Sequence, residues 1–176
     1  MRIIGGTHKG RAIMPPVGYK ARPTTDFAKE GLFNSLSNEY DFEDCEVLDI
    51  FGGTGSISFE LASRGCRSVH CVEMAPANSA FIKKTATSLG FGNIKVIHHN
   101  VFDFLQICRI SFDIVFADPP YAIDSLDAIP DKVLEKNLLK DGGVLILEHP
   151  ASYNFAEHTR FVKEQKYGNV HFSFFR

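Results

Sequence analysis

Residues 46–73 constrain the fold more tightly than any other part of the chain. Glu46-Val47-Leu48-Asp49-Ile50-Phe51 is a short, largely apolar run that predicts a buried strand. Gly52-Gly53-Thr54-Gly55 follows, and a helix begins near Ser56, with Ile57 and Leu61 one turn apart and Gly65 placed to stop it. A second strand, over 68–73 and built on Val69-His70-Cys71-Val72-Glu73, ends in an acid. Strand, tight loop, helix and strand in that order close as a right-handed parallel crossover. The alternation continues with a helix over 76–89, a strand over 94–98, a short helix or loop near 101–108 and a strand over 112–117. A helix around 125–139, a strand over 143–148 and two last strands, 161–167 and 170–175, complete it. The expected class is α/β: a mainly parallel open sheet with helices on both faces.

The segment before this unit is different. Thr25 predicts a helix cap, with Ala28, Leu32 and Leu36 on one face and Gly31 as a weak point. Residues up to Tyr19 are rich in glycine and basic side chains and include Pro15-Pro16, which suits an extended arm or a short β-ribbon. The 176 residues therefore read as a single domain, with 1–24 as a basic N-terminal arm or ribbon. Of 19 basic residues, five (Arg2, Lys9, Arg11, Lys20 and Arg22) precede Asp26 with no acid among them, leaving 14 against all 21 acids. That polarity suggests a basic arm on an acidic body, separable from the core.

Hydrophobic content of 44% suits a soluble globular chain. No N-terminal apolar segment or bilayer-length stretch is seen, so no membrane association and a cytoplasmic location are expected. Cys45, Cys66, Cys71 and Cys108 have no paired spacing, and His98-His99 would face opposite sides of a strand. No metal is expected.

The glycine loop and the acid after the second strand are features of a nucleotide-type site. The loop lets the backbone approach a ligand, and Glu73 would accept hydrogen bonds from ribose hydroxyls. Ser58 stands where a dinucleotide fingerprint needs a third small residue, and Asp49 puts negative charge where a pyrophosphate would lie. S-adenosylmethionine (SAM), with a sulfonium and an amine but no phosphate, suits this acidic loop better than NAD or ATP. Asp49, Phe51, Gly52, Gly53, Gly55, Glu73 and Met74 are the expected cofactor residues from this region.

Asp118-Pro119-Pro120-Tyr121 closes the strand at 112–117. Two prolines hold the backbone extended and leave carbonyls without matching N–H groups. Asp118 and a proline carbonyl can accept both hydrogens of a planar amine, while Tyr121 stacks on the ring that bears it. All four are candidate catalytic residues.

Taken together, these motifs resemble the RsmD-type bacterial methyltransferases. The matching residues are Arg2 to Gly6 with Lys9 to Arg11, Arg22-Pro23-Thr24, Lys29-Glu30, Leu32-Phe33-Asn34, Asp49 to Gly55, Ser63-Arg64-Gly65, Glu73 and Asp118 to Tyr121. Gly142-Gly143, Glu148 and Tyr167-Gly168 extend the match. The resemblance implies a Rossmann-like SAM-dependent methyltransferase fold with an antiparallel C-terminal strand. It also implies methylation of a guanine N2 in 16S ribosomal RNA, as naked RNA or in a small-subunit particle. It further assigns Asp103 to the adenine, Pro23 and Thr24 to a lid near the methionine end, and Arg2, Lys9, Arg11 and Arg22 to RNA; Phe104, beside Asp103, is a candidate to pack on the adenine. Alternatives left by the residues alone are an amino-group methyltransferase on DNA adenine or a protein amide, a non-catalytic nucleotide- or RNA-binding module, and an NAD oxidoreductase.

Overall fold

The computed structural model describes residues 1–15 and 25–176. Lys20, Arg22, Pro23 and Thr24, with the RNA and lid roles expected of Arg22, Pro23 and Thr24, lie outside the described residues.

The strands are β1 (Glu46–Asp49), β2 (Ser68–Glu73), β3 (Ile94–His98), β4 (Phe112–Ala117), β5 (Leu139–His149), β6 (Phe161–Tyr167) and β7 (Val170–Phe175). The helices are α1 (Asp26–Leu36), α2 (Ser56–Ser63), α3 (Pro76–Leu89), α4 (Val101–Ile107) and α5 (Ile129–Leu134). They build one seven-stranded sheet in the order β3-β2-β1-β4-β5-β7-β6. Strands β1 to β5 are mutually parallel, and β7 runs antiparallel to both β5 and β6. This is the expected open, mainly parallel sheet with its antiparallel C-terminal strand.

Side-chain alternation along the strands sends apolar groups to two cores. Val47, Val69, Cys71, Ile114, Phe116, Val144 and Ile146 pack with α1, α2 and α3 on one face. Leu48, Val72, Val115, Ala117, Leu145 and Leu147 pack with α4 and α5 on the other. The four cysteines are buried thiols. Among the described residues no helix is long and apolar enough to cross a membrane.

Two expectations about elements are corrected. The helix near 125–139 is shorter, because Asn137 takes a left-handed backbone (φ 53°) that no helix continues through. Strand β5 then begins at Leu139, with its register to β4 shifted between Phe112 and Ile114. The interrupting Asp141-Gly142-Gly143 hid this first part of the strand in the sequence. Gly31, read as a weak point of α1, is instead a close-packing position: a Cβ there would lie 2.0 Å from the Tyr167 ring.

Residues 1–13 pair as a short ribbon that packs against the core. Arg2 bridges Ala12 antiparallel, and Ile3 and Ile13 are buried in the first core. Two buried charged side chains clamp it. Lys29 of α1 donates to the Arg2 carbonyl at 2.6 Å. Glu60 of α2, fully buried, accepts the Ile4 and Gly5 amides at 2.7 and 2.8 Å and the Arg64 guanidinium at 2.8 Å. A Cβ on Gly6 would collide with the Ser63 carbonyl at 1.8 Å, so the paired glycines let the ribbon lie against the end of α2. Much of the N-terminal motif is therefore explained by packing. Removing residues before Tyr19 would strip a core wall and take the backbone partners from two buried charges, Lys29 and Glu60.

Glu60→Gln keeps the volume but turns one accepting oxygen into a donor facing an amide. It should cost about 1–3 kcal/mol, which in a chain of this size lowers Tm by about 2–4 °C per kcal/mol. Thermal melting followed by circular dichroism checks this, and an unchanged Tm would show that the ribbon is not clamped through Glu60.

Candidate active site

A cavity of about 1040 Å³ opens at the C-terminal ends of β1, β2, β4 and β5. Its position follows from the strand order. Strands β1 and β4 are parallel neighbours, with Asp49 opposite Phe116. The chain leaves β1 toward α2 on one face and leaves β4 toward the other, so the two loops diverge and a crevice forms between them.

The glycine loop is built by close approach. Gly52 N–H donates to the Val72 carbonyl at 2.8 Å, and a Cβ on Gly52 would meet Cys71 Sγ at 2.4 Å. Gly55 caps α2 with φ 82°, a left-handed backbone that favours glycine. Glu73, at the end of β2, holds the loop in place: one carboxylate oxygen accepts Gly53 N–H at 2.7 Å and the other accepts Ala75 N–H at 2.6 Å. Each oxygen keeps a lone pair that a ribose hydroxyl can use.

Asp49 is buried beneath this loop and accepts the Ser58 hydroxyl at 2.6 Å. Ser58, the departure from a dinucleotide fingerprint, thus serves as the partner of Asp49. Burial pushes the Asp49 carboxyl up to about 6, against the Ser58 and Phe51 hydrogen bonds that lower it. Ser56, the first residue of α2, also lines the cavity, and its buried hydroxyl has no hydrogen-bond partner. With the first amides of α2 it is suited to a carboxylate.

At the end of β4, Asp118 is half-buried and Pro119 buried, while Pro120 and Tyr121 are exposed. The Tyr121 hydroxyl donates to Glu148 Oε1 at 3.1 Å, which tethers a ring left 45% exposed over the cleft. Burial, together with the Glu148 and Asp118 carboxylates, raises the Tyr121 pKa, so the phenol stays protonated.

Asp49, Phe51, Gly52, Gly53, Glu73, Met74 and Asp118 to Tyr121 all line the cavity. Three expected residues are not among its lining. Gly55 acts through the backbone, as the cap of α2. Asp103 is exposed on α4, and Phe104 is packed in the second core. The reason is the helix register. Asn100 caps α4, accepting the Phe102 and Asp103 amides at 2.9 and 3.3 Å, so Asn100, Val101 and Phe102 face the cavity instead. Arg2 pairs with Asp26 at 2.9 Å, and Lys9 and Arg11 are exposed on the ribbon.

Other lining residues were not assigned to the site from sequence. Glu148 and the β6–β7 turn, from Tyr167 to Val170, reach it from the far end of the chain. Phe27 is 69% exposed at its edge, and its ring meets Tyr167 edge-on at 5.8 Å. An aromatic residue beside the α1 cap but off the apolar stripe was the available signal for Phe27.

The electrostatic character of the wall is distinctive. Asp49, Glu73, Asp118 and Glu148 line it, and among the described residues none that does so is Lys or Arg. Such a wall disfavours phosphate and suits a cation. The cradle at Gly52, the acids at Asp49 and Glu73 and the unpaired Ser56 hydroxyl fit the amine, carboxylate and ribose of SAM.

Comparison with known proteins agrees. The family described as Conserved hypothetical protein 95 matches residues 1–176. The ribosomal RNA small subunit methyltransferase D of Buchnera aphidicola subsp. Baizongia pistaciae is 31% identical over 180 residues, covering 99% of this chain and 91% of that protein. The solved structure of the putative methyltransferase yhhF from Escherichia coli superposes with a TM-score of 0.85 at 30% identity, over 99% of this chain and 96% of that one. The hypothetical protein TTHA0928 of Thermus thermophilus gives a TM-score of 0.88 at 29% identity, over 100% and 99%.

If Asp49 faces the SAM amine, its charge governs binding. Affinity should rise with pH from about 5 to 7, as Asp49 ionises, approaching tenfold per pH unit below its pKa. Asp49→Asn should bind more weakly and lose this dependence. Calorimetric titration with SAM across that range checks the sign; a flat profile in the wild type would remove Asp49 from contact with the amine.

Proposed function

This chain belongs to the Conserved hypothetical protein 95 family, the RsmD-type methyltransferases, and we propose that it methylates the exocyclic N2 amine of a guanine in small-subunit ribosomal RNA. It is a SAM-dependent methyltransferase; the acceptor and the residue roles are our inference. One observation carries the reading: an Asp-Pro-Pro-Tyr corner opening into a cleft walled by four carboxylates and, among the described residues, no basic side chain but His99.

Bound SAM supplies an electrophilic methyl carbon on a sulfonium. The residues of the chain position it and its acceptor. Asp49 takes the ammonium, Ser56 and the start of α2 take the carboxylate, and Glu73 takes the ribose. The apolar side chains of Val101 and Phe102 border the adenine.

A guanine N2 lone pair is delocalised into its ring and is a poor nucleophile. Asp118 and the Pro119 carbonyl accept its two hydrogens, which favours the pyramidal nitrogen formed during attack. Tyr121, held through Glu148, stacks on the base and fixes its plane. The nitrogen–carbon bond forms as the sulfur–carbon bond breaks in line, and one N–H proton then leaves the cationic product. No strong base is needed, so positioning and electrostatics supply most of the rate. A paired guanine cannot enter this corner, so the target is unpaired or flipped out. A ribosomal RNA substrate implies a cytoplasmic location.

The exposed Lys9 and Arg11 are on the ribbon and supply phosphate contacts in this reading. Arg2 contributes less, because Asp26 neutralises it.

Asp118→Ala should leave SAM affinity within a few-fold and lower single-turnover methyl transfer by about two to three orders of magnitude. Near-normal transfer by the folded variant would contradict the proposed role. Replacing Lys9 and Arg11 together by Ala should weaken RNA binding and reduce the log–log salt slope by about 0.7–0.9 per lost contact. An unchanged slope would move RNA recognition off the ribbon.

A further inference from the structure

Behind the β5 end of the cleft, three strands bring together donors that the methyl-transfer site does not use. His149 ends β5, Glu164 lies in β6 and His171 in β7. His149 pairs directly with His171, and Glu164 pairs with Ser173 two residues further along β7. All three side chains therefore project from one face of the sheet. One ligand atom from each lies within 4.8 Å of the others.

The tautomer of His149 is fixed by its surroundings. Its Nδ1 is 3.0 Å from the Pro150 carbonyl, which can only accept, so Nδ1 carries the hydrogen and Nε2 carries a lone pair. That lone pair faces Ser173 Oγ at 2.8 Å and Glu164 Oε1 at 3.9 Å. Burial lowers the His149 pKa and keeps the ring neutral. The Glu164 carboxylate also takes His171 Nδ1 at 2.8 Å and Lys166 Nζ at 3.0 Å. A lone pair and a carboxylate thus converge on one point, with a serine hydroxyl beside them. An imidazole oriented through its other nitrogen by a backbone carbonyl is the arrangement that supports metal-binding histidines.

We propose that His149, Glu164 and His171 form a binding site for one divalent transition metal of the zinc class, which ties β5, β6 and β7 together. Zinc bonds to nitrogen and oxygen are about 2.0–2.2 Å, so tetrahedral ligand atoms stand about 3.3 Å apart. The three donors reach that spacing by shifts of about 1 Å or a little more. On binding, the His171 proton moves from Nδ1 to Nε2 or is released to solvent, so that Nδ1 faces the ion; Glu164 binds through Oε1 and keeps Lys166 on Oε2. Water or the Ser173 hydroxyl fills the fourth position. Two imidazoles favour zinc over magnesium or calcium. The ion takes no part in methyl transfer. It braces the strands that carry Glu148 and the β6–β7 turn into the cleft wall.

The test uses the full chain, stripped with chelator and dialysed, and does not depend on the methyltransferase reading. Calorimetry with zinc chloride at pH 7.5 should show one equivalent bound and a raised Tm, while magnesium chloride gives neither. Cobalt(II) should give the visible absorption of a tetrahedral site. Glu164→Gln and His171→Gln should each weaken zinc binding at least tenfold. NMR of the seven histidine rings in the wild type gives the answer without mutation: zinc should shift the His149 and His171 signals and leave that of His70 in place. The proposal is overturned if the folded wild type binds no stoichiometric zinc, if both variants bind it unchanged, or if zinc shifts other histidines instead.

Discussion

The parallel pairing of β1 with β4 is the constraint on which the rest of the site depends. Val47, Leu48 and Asp49 lie opposite Ile114, Val115 and Phe116, and the ladder continues through Ile50 N–H to the Phe116 carbonyl at 2.9 Å. This register brings the two loops out of the sheet side by side. The glycine loop and the Asp-Pro-Pro-Tyr corner, 63 or more residues apart along the chain, face each other because of it. A slip of one residue would turn Asp49 to the opposite face and exchange the two cores.

The second organising feature is the concentration of negative charge on the cleft wall. Four carboxylates in one cavity repel one another, and burying Asp49 has the further effect of raising its pKa. The fold tolerates this through local donors: Ser58 for Asp49, two backbone amides for Glu73, and the Tyr121 hydroxyl for Glu148. A cationic ligand relieves the same repulsion, so charge crowding along the wall becomes selectivity for a sulfonium and an amine over a pyrophosphate. Tyr121 links this wall to the acceptor site, since its ring faces the cleft while its hydroxyl is held by β5.

Much of this was legible in the sequence, and the failures have physical causes. The runs at 68–73, 94–98 and 112–117 and the helix at 76–89 carry strong local patterns with clear stops, and the structure keeps their bounds. The helix and strand expected within 125–149 are present, but their bounds were misread because Asn137 and the Asp141-Gly142-Gly143 interruption act through backbone geometry, which hydrophobic periodicity does not record. Asp103, expected near the adenine, does not line the cavity, since Asn100 takes the cap of α4 and Asp103 is exposed. The N-terminal glycines looked like part of an RNA-binding arm, whereas their closest dependence is on Ser63, Arg64 and the buried Glu60. The His149, Glu164 and His171 cluster had no sequence signature, because β5, β6 and β7 assemble it only by pairing.

The central claim is that this cleft delivers a methyl group to a guanine N2. The most direct measurement is to incubate the full chain with small-subunit ribosomal RNA and SAM labelled in the methyl group, digest the RNA to nucleosides, and separate the labelled products. The account predicts a single labelled nucleoside, N2-methylguanosine, arising from one position in the RNA. Label in a methylated adenosine or on a ribose would contradict it, as would its absence from RNA under conditions where the protein binds SAM.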